Sequence, residues 1–179
     1  MFKDETAVSP KKDDRLMYIP QKLQEYFILQ KETFGSNIIV RGQLSCCGSH
    51  RFAISYFGKM ETGLFCRKTI YPQEDILALN AKCQLCRREI HVFNSITDGY
   101  DGYASIDTFS HLYELNELFC PKCTKAEFSI SLSFEYQSEE ELLEDGVQDY
   151  RNAFSWIWIS PTCLSCGKTY KNLVDMETA

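Results

Sequence analysis

The chain has 179 residues, 44% of them hydrophobic and 25% charged, with 12 Phe and 10 Tyr, which is apolar stock for one domain or two small ones. Acidic residues outnumber basic ones by 25 to 19, giving a formal net charge of -6. That balance disfavours broad binding to nucleic acid or anionic membrane, where Lys and Arg must neutralise phosphates.

No stretch approaches the ~20 apolar residues of a membrane span. The start, Met1–Thr6, carries no apolar run of signal-peptide type, and Leu16–Ile19 is cut short by Pro20. A cytoplasmic location is therefore expected, where thiols stay reduced. The odd count of nine cysteines argues against a closed disulfide framework.

Residues 1–15 are polar and read as a flexible tail, followed by a single β-rich domain over 16–179. After Pro20, the spacing of Leu23, Phe27 and Phe34, with Gly35 as a stop, predicts a helix over Gln21–Phe34. Short alternating runs then predict strands at 37–44, 51–57, 64–71, 75–81, 89–93, 127–136, 153–160 and 169–174. Within the run 127–136, Phe128 to Phe134 alternates strictly, as a strand with one buried face requires. Two Asp-Gly steps in Thr97–Tyr103 predict tight turns. Ser138, Glu141 and Gly146 frame a short acidic helix over 139–145 with a capping box. In Phe154–Ile159, Phe154, Trp156 and Trp158 alternate with Ile157 and Ile159, which predicts a strand covered on both faces. A base-stacking platform is the alternative reading of those aromatic residues. The expected class is mainly β, an α+β fold with an N-terminal helix and one acidic helix.

Between the strands fall three Cys-x-x-Cys pairs, Cys83/Cys86, Cys120/Cys123 and Cys163/Cys166, with Cys46-Cys47 one interval upstream. The first cysteines are 37, 37 and 43 residues apart. Each pair supplies two thiolates at the reach of one tetrahedral ion, so two pairs complete a Cys₄ shell. An apolar residue follows the last cysteine of each pair at a similar offset: Phe52, Ile90, Phe128 and Tyr170. This reads as one strand–knuckle–strand unit used four times. At the level of the knuckles alone the chain resembles zinc ribbons, which implies two halves, about 36–95 and 105–179. Zinc is the expected cofactor, since the spacing lacks the tight cysteine runs of ferredoxins.

The first knuckle is incomplete by this pattern. Aligning Cys46 with Cys83 leaves Ser49 at the second ligand position; aligning Cys47 with Cys86 leaves Leu44 at the first. Cys47-Gly-Ser-His50 offers His50 as a substitute ligand, with Cys66 in reserve. Two zinc ions are expected, with the 46–50 knuckle joined to Cys83/Cys86 and Cys120/Cys123 joined to Cys163/Cys166. Interleaved pairings satisfy the same chemistry, and a degenerate first knuckle leaves one ion.

No Gly-rich phosphate loop, G-x-S-x-G or H-E-x-x-H motif occurs. His91 reads as a strand surface residue, His111 is the remaining histidine, and Asp98, Asp101 and Asp107 fit no EF-hand spacing. Basic residues cluster at the knuckles: Arg87, Arg88, Lys122, Lys125, Lys168 and Lys171. They offset thiolate charge or, on a sharper reading, meet phosphates. The expected function is a non-enzymatic protein with structural zinc sites that binds another protein. A nucleic-acid-binding zinc ribbon is second, and a metalloenzyme using an incomplete first site is third.

Overall fold

A computed structural model describes residues 18–104 and 113–178. The tail 1–15, Asp107 and His111 lie outside the described residues. A 3₁₀ turn at Gln21–Leu23 opens the described chain, followed by β1 (Phe27–Phe34), where a helix was expected. Only three apolar residues supported that helix, while Phe27 to Phe34 pairs along its length with β2 (Ile38–Leu44). Tertiary pairing overrides so weak a period. Gly35, taken for a helix stop, sits in the hairpin loop. Gly42 of β2 lets this hairpin close: a Cβ there would stand 2.4 Å from the Phe27 ring and from the Ile28 carbonyl oxygen.

The strands that follow are β3 (Phe52–Phe57), β4 (Lys59–Thr62), β5 (Lys68–Tyr71), β6 (Ala78–Cys83) and β7 (Glu89–Asn94). The expected strand 64–71 is shorter because Leu64–Cys66 is a 3₁₀ turn, and β5 pairs only with β4, in a separate hairpin. The expected strand 75–81 also begins late. Glu74 and Asp75 both take positive φ in the two-residue turn that hydrogen-bonds Gln73 to Ile76. In the Asp-Gly segment, α1 (Gly99–Ala104) replaces the expected tight turns. The Asp98 carboxylate accepts the Asn94 N–H at 2.6 Å and pairs with Lys22.

Beyond α1 come β8 (Asn116–Glu117), β9 (Phe128–Tyr136), α2 (Glu139–Glu144), β10 (Trp156–Cys163) and β11 (Val174–Glu177). The last lies later than the expected 169–174, because Asn172 takes a positive φ and turns the chain first. The α2 helix carries the expected capping box: the Ser138 hydroxyl accepts the Glu141 N–H, and the Glu141 carboxylate accepts the Ser138 N–H.

β9 organises the sheet. One edge takes β2 along residues 131–136 and then β3 at the single pair Phe52↔Phe128, while the other edge takes β10 along its length. The result is a forked antiparallel sheet, β1-β2-β9-β10-β11, with β7-β6-β3 branching at Phe128 and β8 on the free edge of β3. Alternate residues of β9, from Phe128 to Tyr136, are buried. They pack with Val40, Ile157, Ile159 and Phe154; the Phe134 and Phe154 ring centroids lie 5.2 Å apart.

The two faces of β10 differ from expectation. Ile157 and Ile159 are fully buried, but Trp156 and Trp158 are only half-buried and stack on each other, centroids 5.9 Å apart. Phe154 leaves the tryptophan face and joins the core. The tryptophan side is only partly covered: Leu64, Thr69 and Tyr71, around the β4–β5 hairpin, border Trp156, while Arg41 and Lys31 at the other end of the same face are exposed.

Candidate metal centres

Three of the four knuckles share one backbone pattern. In each, the N–H of the first cysteine donates to the carbonyl five residues on: Cys83 to Arg88, Cys120 to Lys125, Cys163 to Lys168. The residue four positions on donates back to that cysteine's carbonyl, from Arg87, Thr124 and Gly167 respectively. All three of these residues take positive φ, between 59° and 70°. The left-handed residue reverses the chain directly after the second cysteine and turns both sulfurs to one side.

The first knuckle is built differently. Cys46 and Ser49 exchange backbone hydrogen bonds of 2.9 and 2.8 Å across a two-residue turn, with positive φ at Cys47 and Gly48. These are the requirements of a type I′ hairpin turn, whose second central position favours glycine. Both central residues bend the chain the same way, so two adjacent cysteines reach one centre without the usual two-residue spacer.

Four sulfurs converge at each of two places: Cys46, Cys47, Cys83 and Cys86, and Cys120, Cys123, Cys163 and Cys166, each group within 4.8 Å. The structure thus brings together the cysteines joined by sequential pairing. His50 stays out of the first group, with its Nδ1 3.0 Å from the Leu44 carbonyl oxygen. The place considered for His50 is taken by Cys46 and Cys47 together. Cys66 is exposed and belongs to neither group. His91 lies on an exposed strand position with Nδ1 3.1 Å from Asn80 Oδ1.

The sulfur spacings suit a tetrahedral ion. Bonds of about 2.3 Å to zinc place the corners of a tetrahedron about 3.8 Å apart. Measured separations are 3.5 Å (Cys46–Cys86), 3.8 Å (Cys47–Cys83), 3.6 Å (Cys120–Cys166) and 3.5 Å (Cys123–Cys163). All are far beyond a sulfur–sulfur bond, and all nine cysteines are free.

The proton affinities of the sulfurs diverge within each group. In the first, burial and then the neighbouring Cys86 and Cys83 push Cys46 up to about 12, whereas the Arg88 backbone N–H, helped by Cys46, holds Cys86 down to about 7. In the second, burial raises Cys120, but the Tyr170 hydroxyl and the N–H groups of Cys123 and Lys122 outweigh it and bring it to about 6. For Cys123, the Lys125 N–H acts downward, yet burial and three nearby sulfurs carry it up to about 12. Sulfurs this close resist ionising together, and a divalent cation removes that conflict.

Both groups rest on one strand register. In the first, Phe52 pairs with Cys83, and the Gln84 N–H donates to the Arg51 carbonyl at 2.9 Å. In the second, Phe128 pairs with Cys163, and the Leu164 N–H donates to the Glu127 carbonyl at 3.0 Å. The pair Lys82↔Glu89 corresponds to Thr162↔Thr169 in the same way. Phe52 and Phe128, apolar positions singled out in the sequence, are fully buried and lock each strand beneath its sulfurs. Tyr170 does more than pack: its Oη lies 3.0 Å from Cys120 Sγ. Its equivalent beside the first group, Ile90, has no donor to offer. The sequence signal for this role was the hydroxyl itself, at a position read only as apolar.

Among the described residues no helix is long and apolar enough to cross a membrane. No family model, curated protein or solved structure matches this chain.

Proposed function

We propose that this protein is a non-enzymatic binding module in which each Cys₄ group holds a structural zinc ion. The observation that carries this reading is that both groups offer four sulfurs at tetrahedral spacing. Catalytic zinc keeps three protein ligands and an exchangeable water, whereas structural zinc is closed by four. The metalloenzyme alternative relied on an incomplete first knuckle, and that knuckle contributes two cysteines to a group of four. Zinc is favoured over other divalent ions by an all-thiolate set with no geometric demand beyond the tetrahedron. The four sulfurs of each group come from segments more than thirty residues apart, so the ion fastens strands that lie far apart in sequence.

Metal analysis of the purified protein, paired with the absorption spectrum of its Co²⁺-substituted form, tests the reading. The expected result is about two zinc per chain and a tetrahedral all-sulfur spectrum. A metal-free protein with oxidised thiols, or a mixed-ligand cobalt spectrum, would overturn it.

A further inference from the structure

The cations of this acidic chain are not spread evenly. Arg67 and Lys68, leading into β5, share a surface cleft with Lys168 and Lys171 beyond the fourth knuckle. Lys168 and Lys171 are exposed, and among the described residues no carboxylate lies within ion-pair distance of either. Arg67 also borders a second hollow, lined by Leu64, Tyr71 and Trp156. Arg67 joins the two hollows, and Asp175 in the second accepts from Arg67 at 3.0 Å and from the Trp156 indole at 2.9 Å, fixing both side chains.

The hollows continue onto the exposed part of this sheet face. Trp158 pairs with Ser133, Ser133 with Arg41, and Arg41 with Lys31, and paired residues of neighbouring strands share a face. This row therefore sets an aromatic ring at one side and two exposed cations at the other, across the small side chain of Ser133. Ser129 and Ser131 extend that low floor along β9.

We propose that this face binds single-stranded nucleic acid, with bases against Tyr71 and the Trp156–Trp158 stack and phosphates on Lys168, Lys171, Lys68 and Arg41. Cations tracking a backbone beside aromatic rings open to stacking form the recurring arrangement for single strands, and a duplex keeps its bases stacked away from such rings. Glu135 and Glu177 flank Trp156 on its two neighbouring strands, which excludes phosphates there and leaves that end to bases. Net charge sets long-range attraction, but a local cluster focuses potential of its own sign. This inference rests on the binding-module reading and replaces a protein partner with a nucleic acid.

Both tryptophans of the chain lie on this face, so tryptophan fluorescence, excited at wavelengths beyond tyrosine absorption, reports on it. The zinc-loaded protein is titrated at low salt with twelve-residue oligothymidylate and oligouridylate, and with inorganic polyphosphate and polyglutamate as comparison probes. The expected result is quenching by an oligonucleotide, with affinity falling as salt rises at a log–log slope of about -3, as for about four phosphates on a single strand. Lys168→Glu with Lys171→Glu should weaken binding by about tenfold or more and flatten that slope. Tyr71→Ala, at a residue 49% exposed, should weaken it by roughly tenfold. Arg41→Glu, remote from the cysteines, repeats the charge test should the lysine pair also disturb zinc content.

Absence of quenching by both oligonucleotides overturns the proposal, as does binding undiminished in the lysine, Tyr71 and Arg41 variants alike. Polyphosphate binding as tightly as the oligonucleotides would reduce the face to a generic anion site, and polyglutamate doing so would assign it to an acidic protein; either overturns the proposal. Failure with about two zinc still bound leaves the metal reading standing.

Discussion

Replacing Tyr170 by Phe isolates one interaction of the second metal centre. The side chain is 8% exposed, and its hydroxyl lies 3.0 Å from Cys120 Sγ. Phenylalanine keeps the ring and its packing, so no cavity opens and the change is confined to the hydrogen bond. A hydrogen bond to a charged acceptor contributes about 1.5–3 kcal/mol net. At about 1.4 kcal/mol per tenfold, zinc affinity at that centre should fall roughly 10- to 100-fold, the usual scale for a group that orients a ligand from behind. The first centre, with Ile90 at the equivalent position, should not change and serves as an internal control. Competition with a chromophoric chelator reads this directly, as a change in the affinity of one ion relative to the other. If neither affinity moves, or if both move equally, Tyr170 does not act through Cys120.

Removing zinc with a strong chelator should collapse the far-UV circular dichroism and the thermal midpoint together, because the ion's binding energy is folding energy; an unchanged midpoint would separate the two. Cys47→Ser should lower bound zinc from about two towards one, while His50→Ala leaves the stoichiometry intact, as metal analysis would show. Phe128→Ala removes a fully buried ring that pairs with both Phe52 and Cys163, and should destabilise the fold by about 3–5 kcal/mol in denaturant unfolding.

Legibility in the sequence followed the strength of the local signal. The strict alternation from Phe128 to Phe134 and the capping box at Ser138 each translate directly into backbone, and both elements lie within a residue of expectation. Cys-x-x-Cys spacing marked three knuckles because that spacing is itself the geometry. Cys46-Cys47 looked degenerate only against that template; Cys47-Gly48, read as a hairpin turn, would have brought the two sulfurs together. The helix expected over Gln21–Phe34 failed because a weak 3.6-residue period was opposed by β2, the next strand of a tight hairpin, and Gly35 was read as a helix stop instead of part of the hairpin loop. Coverage of the tryptophan face was non-local: alternation says that two faces differ, but only the forked sheet decides which one is roofed.

The junction at Phe52 and Phe128 is locally symmetric. These residues hold equivalent places beside the two cysteine groups, each paired with the first cysteine of a later knuckle, and they pair with each other in antiparallel sense. A position meeting its own counterpart is the signature of an isologous contact, the kind made by two identical subunits about a two-fold axis. Here both partners belong to one polypeptide. The preceding residues, Arg51 and Glu127, form an ion pair with contacts of 3.0 and 2.9 Å. Identical subunits would place like charge against like at this spot. Within a single chain the two positions need not carry the same residue, and complementary charge across the local pseudo-axis is what that freedom permits.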